Sequence, residues 1–207
     1  MYMHKFSGMS HLRLVYKYIL LACVGFSTCS ALRAQTWALK TNLLADATAS
    51  IQLGAEFSLA DKWTLETGAA YNGWTFSNNK KWKHWLVQPE LRYWTCNKFM
   101  GHFFGFHLLG GQYNLGNFTS KAHFLGTDFR LLKQYRYEGW MAGAGLAYGY
   151  NWPLSKHWSL EATLGLGYVF SRYSKFYCPT CGDKLESGKN HHYVGPTKAA
   201  VSLIAVF

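Results

Sequence analysis

The chain has 207 residues, 49% of them hydrophobic and 18% aromatic, against only 15% charged, with 20 glycines and a formal charge of +11. That length allows one domain and leaves no room for a second. Aromatic and glycine enrichment with so few charges points to many strands and much apolar surface, yet no stretch is long and apolar enough to predict a transmembrane helix.

The first element is an export signal. Lys5, Arg13 and Lys17 precede an apolar stretch, Ile19 to Phe26, and no acidic residue occurs before Asp46. Ala31-Leu32-Arg33-Ala34 supplies small residues for cleavage after Ala34, so residues 1–34 are expected to be a signal peptide and Gln35 the mature N-terminus. Leu20-Leu21-Ala22-Cys23 resembles a lipoprotein box, but cleavage there would leave an apolar region of only a few residues after Lys17. An amphipathic surface helix is the other alternative, and the segment has no polar stripe to support it. Removing residues 1–34 takes away four basic residues and no acidic one, so the charge falls from +11 to +7. An exported chain does not meet nucleic acid. Its positive charge suits anionic lipid headgroups and the phosphates of lipopolysaccharide.

From Trp37 onward, apolar and polar residues alternate at period two, with turn residues between the runs. Strands are predicted over 37–46, 50–59, 63–75, 85–95, 102–114, 138–152, 157–172 and 193–207. Each meets or exceeds the ~9–11 residues that a tilted strand needs to cross a bilayer. Short connections at Ala60 to Lys62, Cys96 to Gly101 and Pro153 to Lys156 alternate with long ones at Phe76 to His84, Leu115 to Tyr137 and Tyr173 to His192; only Asp46 to Ala49 is brief on the long-loop side. Short turns on one side and long loops on the other describe a barrel of the outer membrane. The predicted fold is all-β: an eight-stranded antiparallel up-and-down transmembrane β-barrel with a polar, plugged lumen.

Alternation alone also fits a soluble sandwich. Two further features separate the cases. Trp37, Trp63, Trp85, Trp140, Trp152 and Trp158 fall near strand ends on the apolar face, as interfacial girdles do. The chain also stops inside its last strand, Val201 to Phe207, and a terminal Phe after alternating apolar residues resembles the signal read by barrel-assembly machinery. A lipocalin would invert the pattern, with an apolar lumen. Lys62-Trp63-Thr64-Leu65-Glu66 and His157-Trp158-Ser159-Leu160-Glu161 form a weak internal repeat that puts Glu66 and Glu161 in equivalent lumen positions.

Parity places Lys40, Glu56, Glu66, Glu90, Arg92, Glu161 and Lys198 inside, with His107 beside them. Enclosed charges must pair, because an isolated buried charge is too costly, so a neutralising ion-pair network is expected, with cross-strand pairing available to Glu161 and Lys198. A proton or ion path through the same residues is the alternative. Cys178-Pro179-Thr180-Cys181 in the last outer loop forms either a local disulfide or one half of a zinc site completed by His191 and His192. A redox pair is the third reading, though no βαβ unit surrounds it. Cys96 sits in a short turn with no evident partner. No other cofactor is expected. The outer loops are basic and aromatic, with Lys80, Lys81, Lys83, Lys121, Arg130, Lys133, Arg136, Lys175, Lys184 and Lys189. These residues either pair with lipopolysaccharide phosphates or contact a specific protein or glycan.

Several strings taken together resemble a family of uncharacterised outer-membrane barrels of Bacteroidota, a domain of unknown function. They are Leu39-Lys40-Thr41-Asn42-Leu43-Leu44, Pro89-Glu90-Leu91-Arg92-Tyr93-Trp94, Gly101-His102-Phe103-Phe104-Gly105-Phe106-His107, Tyr148-Gly149-Tyr150, Cys178-Pro179-Thr180-Cys181-Gly182 and Gly195-Pro196-Thr197-Lys198-Ala199. The resemblance spans nearly all of 37–207. It implies an eight-stranded barrel with no assigned activity and, because members are often encoded near fimbrial and adhesin components, a surface-fibre or adhesin protein as partner. Ala205, where an aromatic is common, departs from the usual terminal signal. Three functions follow from the sequence: a non-enzymatic structural or interaction barrel at the cell surface; a narrow pore; or a lipid-modifying hydrolase or acyltransferase using Glu186, Ser187, His191 and His192 of the last loop. A mobile loop holds a catalytic constellation poorly, which favours the first.

Overall fold

The computed structural model describes residues 36–76, 80–117, 123–124, 127–128, 135–177 and 182–207. The proposed signal peptide, Cys178, Cys181, Lys121, Arg130 and Lys133 lie outside them.

The chain forms β1 (Trp37–Asn42), a short helix α1 (Leu43–Ala47), β2 (Ile51–Ser58), β3 (Trp63–Asn72), β4 (Thr75–Phe76), β5 (Lys80–Trp94), β6 (Gly101–Gly116), β7 (His123–Phe124), β8 (Thr127–Asp128), β9 (Tyr135–Pro153), β10 (Trp158–Tyr177) and β11 (Lys184–Val206). The eight long strands pair antiparallel in chain order, β1 to β2, β3, β5, β6, β9, β10 and β11. The first and last then pair with each other, Ala38 opposite Val206 and Asn42 opposite Ser202, so the pairings form a closed, barrel-like ring.

Period-two patterning sets the two faces. Leu53, Leu146, Leu164 and Leu166 point outward and are 63–70% exposed, whereas Glu56, Arg92 and His107 on the inner face have no exposure at all. The six tryptophans predicted to form girdles are all outward and exposed. The apolar core is small and sits at the short-turn end: Ala38, Trp94, Phe99, Phe103, Ile204 and Val206 close the interior there. Trp94 and Phe103 pack at a centroid separation of 4.8 Å, and the Trp94 indole donates to Thr64 Oγ1 at 2.9 Å. Phe207 seals the seam. Its carbonyl accepts from the Thr36 N–H at 2.8 Å, its N–H donates to the Trp37 carbonyl at 2.9 Å, and its ring stacks on Trp37 at 4.5 Å.

Two sets of predicted boundaries are corrected. The first strand ends at Asn42 rather than 46, because Asn42 caps a helix: its side chain accepts from the Leu44 N–H at 3.1 Å, which turns the backbone away from the ladder. The outer connections are also shorter than expected, since β5 begins at Lys80, β9 at Tyr135, β10 runs to Tyr177 and β11 starts at Lys184. Alternating aromatics continue the sheet past the predicted ends. Tyr137 meets Tyr173 at 5.6 Å and Tyr135 meets Tyr177 at 6.3 Å across the β9–β10 pair, and such pairs stabilise a ladder by ~0.2–1 kcal/mol each.

Candidate functional site

The interior charges occupy a layer above the apolar end. Strand register puts Glu56 of β2 opposite Glu66 of β3, and Glu66 opposite Glu90 of β5, so three carboxylates stand in one row. Like charges directly opposite repel, and three cations answer them. Arg92, two positions along β5, donates through Nε to Glu90 at 2.6 Å and through Nη1 to Glu56 at 2.9 Å and Glu161 at 3.0 Å. Its Nη2 contacts Glu66. The planar fork of arginine suits four carboxylates arranged around it. One face of the guanidinium lies over the Phe103 ring at 4.3 Å, which joins the charged layer to the apolar one.

Lys40 of β1 donates to Glu56 at 2.6 Å and to Glu161 at 3.4 Å. Lys198 of β11 donates to Glu90 at 2.9 Å and to Glu66 at 3.3 Å. Two hydroxyls complete the shell, Thr64 donating to Glu56 at 2.5 Å and Thr163 to Glu161 at 3.1 Å. His107 forms the upper boundary: Nε2 is 2.8 Å from Thr197 Oγ1, and Nδ1 is 3.8 Å from Glu90. Space for these long side chains comes from glycines. A Cβ on Gly54 would lie 2.9 Å from the Lys40 stem, and one on Gly105 would lie 2.8 Å from the Glu90 carboxyl.

The seven residues that parity places inward, and His107 beside them, are therefore buried in one network, although its wiring differs from the expected pattern. Lys198 reaches across the interior to Glu66 and Glu90, not to Glu161. Glu161 is registered with Ser202, four residues from Lys198, and strand rise makes that gap roughly 13 Å. Arg92 and Lys40 take Glu161 instead. The sequence reading missed the apolar lid of Trp94 and Phe103. Both are inward by the same parity, but the apolar type directed attention outward.

Chemically, this arrangement pairs charges with one another and leaves little room among them. Four carboxylates meet three cations and a histidine, each acid in contact with at least two of these partners or a hydroxyl. The cavity left among Lys40, Glu66, Glu161 and Lys198 is only about 10 Å³, the space of about one water molecule. On the far side of His107 the interior opens. A cup of about 670 Å³, bordered by Asn72, His84, Tyr113, Tyr173 and Ser187 among others, faces the long-connection side.

The other predicted residues are dispersed. His191 and His192 lie on β11 as adjacent strand residues, so they project to opposite faces, and the Tyr168 hydroxyl meets His192 Nδ1 at 2.5 Å. Glu186 is paired with Lys189 at 3.0 Å. Among the described residues no hydrogen bond joins Ser187 to either histidine, and no three potential metal ligands gather. Cys96 is exposed and reduced. Several cations predicted in loops are strand residues that pack on aromatics: Arg136 over Phe176 at 4.3 Å and Lys175 over Tyr135 at 3.9 Å.

The family model described as protein of unknown function (DUF3575) matches residues 18–207. No curated protein and no solved structure matches the chain.

Proposed function

The chain belongs to the DUF3575 family of proteins of unknown function, and we propose that it is an exported outer-membrane barrel whose work is structural: to hold or display a partner at the cell surface without catalysing a reaction. One observation carries this reading, the inversion of the usual protein pattern. Leucines such as Leu146, Leu164 and Leu166 face outward around the ring while glutamate, arginine and lysine are enclosed. In water that distribution is unfavourable on both counts. In a bilayer it is the favourable one, because the strands satisfy one another's backbones where the ring pairs and the apolar band meets lipid. Residues 1–34 are then the cleaved signal peptide, the outward tryptophans the interfacial girdles, and Phe207 part of the signal for the assembly machinery.

The filled ion-pair layer supports a plug rather than a pore. The rim cations, Lys81, Lys83, Arg172, Lys184 and Lys189, fit the phosphates of lipopolysaccharide. The resemblance to Bacteroidota barrels encoded near fimbrial genes supports a fibre or adhesin protein as the partner that is anchored. Two measurements test the proposal. Surface crosslinking followed by co-purification from intact cells should recover one dominant surface protein. Planar bilayers containing the purified chain should show no steady conductance. Recovery of only lipid, or stable channel steps, would refute the anchoring and plug readings respectively.

A further inference from the structure

The ring is lopsided. β1 has 6 residues, whereas β11 has 23. β1 covers β11 only from Ser202 to Val206. The Asn42 side chain extends that contact one step, accepting from the Val201 N–H at 3.2 Å and donating to the Ala199 carbonyl at 3.4 Å. Beyond it, β11 continues to pair with β10 on its other side as far as Lys184. Among the described residues, therefore, the edge of β11 that faces β1 has no strand partner over its outer half.

That edge is blocked at its ends, α1 packs against β11 as well, and among the described residues no strand pairs with the stretch between those ends. At the inner end, Pro196 brings no N–H, its carbonyl accepts from the Tyr193 hydroxyl at 3.2 Å, and the register with β10 shifts between Gly165 and Leu166. At the outer end the register shifts again past Tyr173, and Gly188 has φ +67°. Prolines and bulges of this kind protect edges from unwanted pairing. Lys189 to Gly195 lies between the two shifts and runs in unbroken register with Tyr173 to Gly167. Val194, towards the inner end of this stretch, is 79% exposed, the most of any large hydrophobic residue described.

We propose that Lys189 to Gly195 is an acceptor edge to which an extended, acidic segment of a surface protein adds as a further strand. Main-chain N–H and C=O groups of alternate residues supply the ladder, and Asn190, His192 and Val194 on one face and His191 and Tyr193 on the other supply side-chain contacts. The acidic character follows from the surroundings, where Arg172, Lys175, Lys184 and Lys189 outnumber Asp183 and Glu186. A second copy of the chain is the poorer occupant, because self-pairing would bring Lys189 and the neighbouring Arg172, Lys175 and Lys184 towards the same cations of the other copy. The inference deepens the anchoring reading by giving the partner's chemistry and its seat, and it rests on that reading for the outward orientation of the edge.

The test uses the full chain folded in detergent micelles, so it does not depend on where the protein resides. The probe is a fluorescein-labelled peptide of about nine alternating valine, threonine and glutamate residues, long enough to span the open stretch. Amide hydrogen exchange of the free chain should find fast-exchanging amides within Lys189 to Gly195, and the peptide should slow them. Fluorescence anisotropy should show saturable binding. The same peptide N-methylated at alternate backbone nitrogens keeps its charge and loses its ladder, so its affinity should fall ~10-fold or more. Full protection of these amides in the free chain would mean that the edge is already covered, by residues of the same chain or by a second copy, and would overturn the proposal. So would equal binding of the N-methylated peptide, which would show charge attraction alone, and so would absence of binding. A protein that passes this test yet fractionates outside the outer membrane would overturn the anchoring reading and leave the acceptor edge standing.

Discussion

Replacing Arg92 by alanine removes the cation that touches all four interior glutamates. Lys40 and Lys198 then remain against Glu56, Glu66, Glu90 and Glu161, so the layer's formal excess rises from one negative charge to two. Arg92 and Glu56 have no exposure, so water cannot relieve the loss without opening the ring. Breaking a buried pair from one side typically costs ~3–5 kcal/mol. At a urea dependence of ~2 kcal/mol per molar, that is a fall in unfolding midpoint of about 2 M. Lys81→Ala, on the rim, should stay within about ±0.5 kcal/mol. Arg92→Lys should fall between them, since it restores charge without the planar fork. Tryptophan fluorescence of refolded protein in micelles, followed through urea in both directions, reads all three. Coincident unfolding curves for Arg92→Ala and Lys81→Ala would refute the inward placement of Arg92 and, with it, the assignment of which face is polar.

Deleting Phe207 removes its bonds to Thr36 and Trp37 and the Trp37 stack, so the heat-modifiable folded band on gels should weaken; an unchanged folded yield would refute its role at the seam. N-terminal sequencing of the outer-membrane fraction should begin at Gln35, and retention of Met1 would refute the signal-peptide assignment. In a Cys178→Ser, Cys181→Ser background, a membrane-impermeant maleimide should leave the exposed Cys96 unlabelled on intact cells and label it after permeabilisation; labelling of intact cells would invert the topology.

Much of this structure was legible in the residues because period-two alternation is a local property. Parity alone put Glu56, Glu66, Glu90, Arg92 and Glu161 on one face, and no knowledge of strand partners was needed. The pairing of Lys198 with Glu66 and Glu90 was not legible, because it depends on register between strands far apart in sequence, and a parity argument carries no information on register. The extent of β10 and β11 was obscured for a different reason. Lys175, Lys184 and Lys189 looked like loop residues by charge, whereas Lys175 packs over the Tyr135 ring and all three continue the ladder as strand residues. The early end of β1 turned on one side-chain hydrogen bond from Asn42, a residue equally at home in a strand end or a helix cap.

The row of Glu56, Glu66 and Glu90 also bears on how the ring comes into being. The hairpins β2–β3 and β3–β5 each bring two carboxylates face to face. Within this stretch Arg92 is the cation among the described residues that touches them, while Lys40 and Lys198 come from the two strands that meet at the seam. Half-closed sheets are thus electrostatically penalised, and completion of the circle removes the penalty at a single step. Closure becomes all-or-none, with the interior charges setting a kinetic barrier against trapped, partly closed forms. Stopped-flow folding into micelles should accordingly show one cooperative phase, and Glu66→Gln, which removes the middle charge of the row, should admit a populated open intermediate.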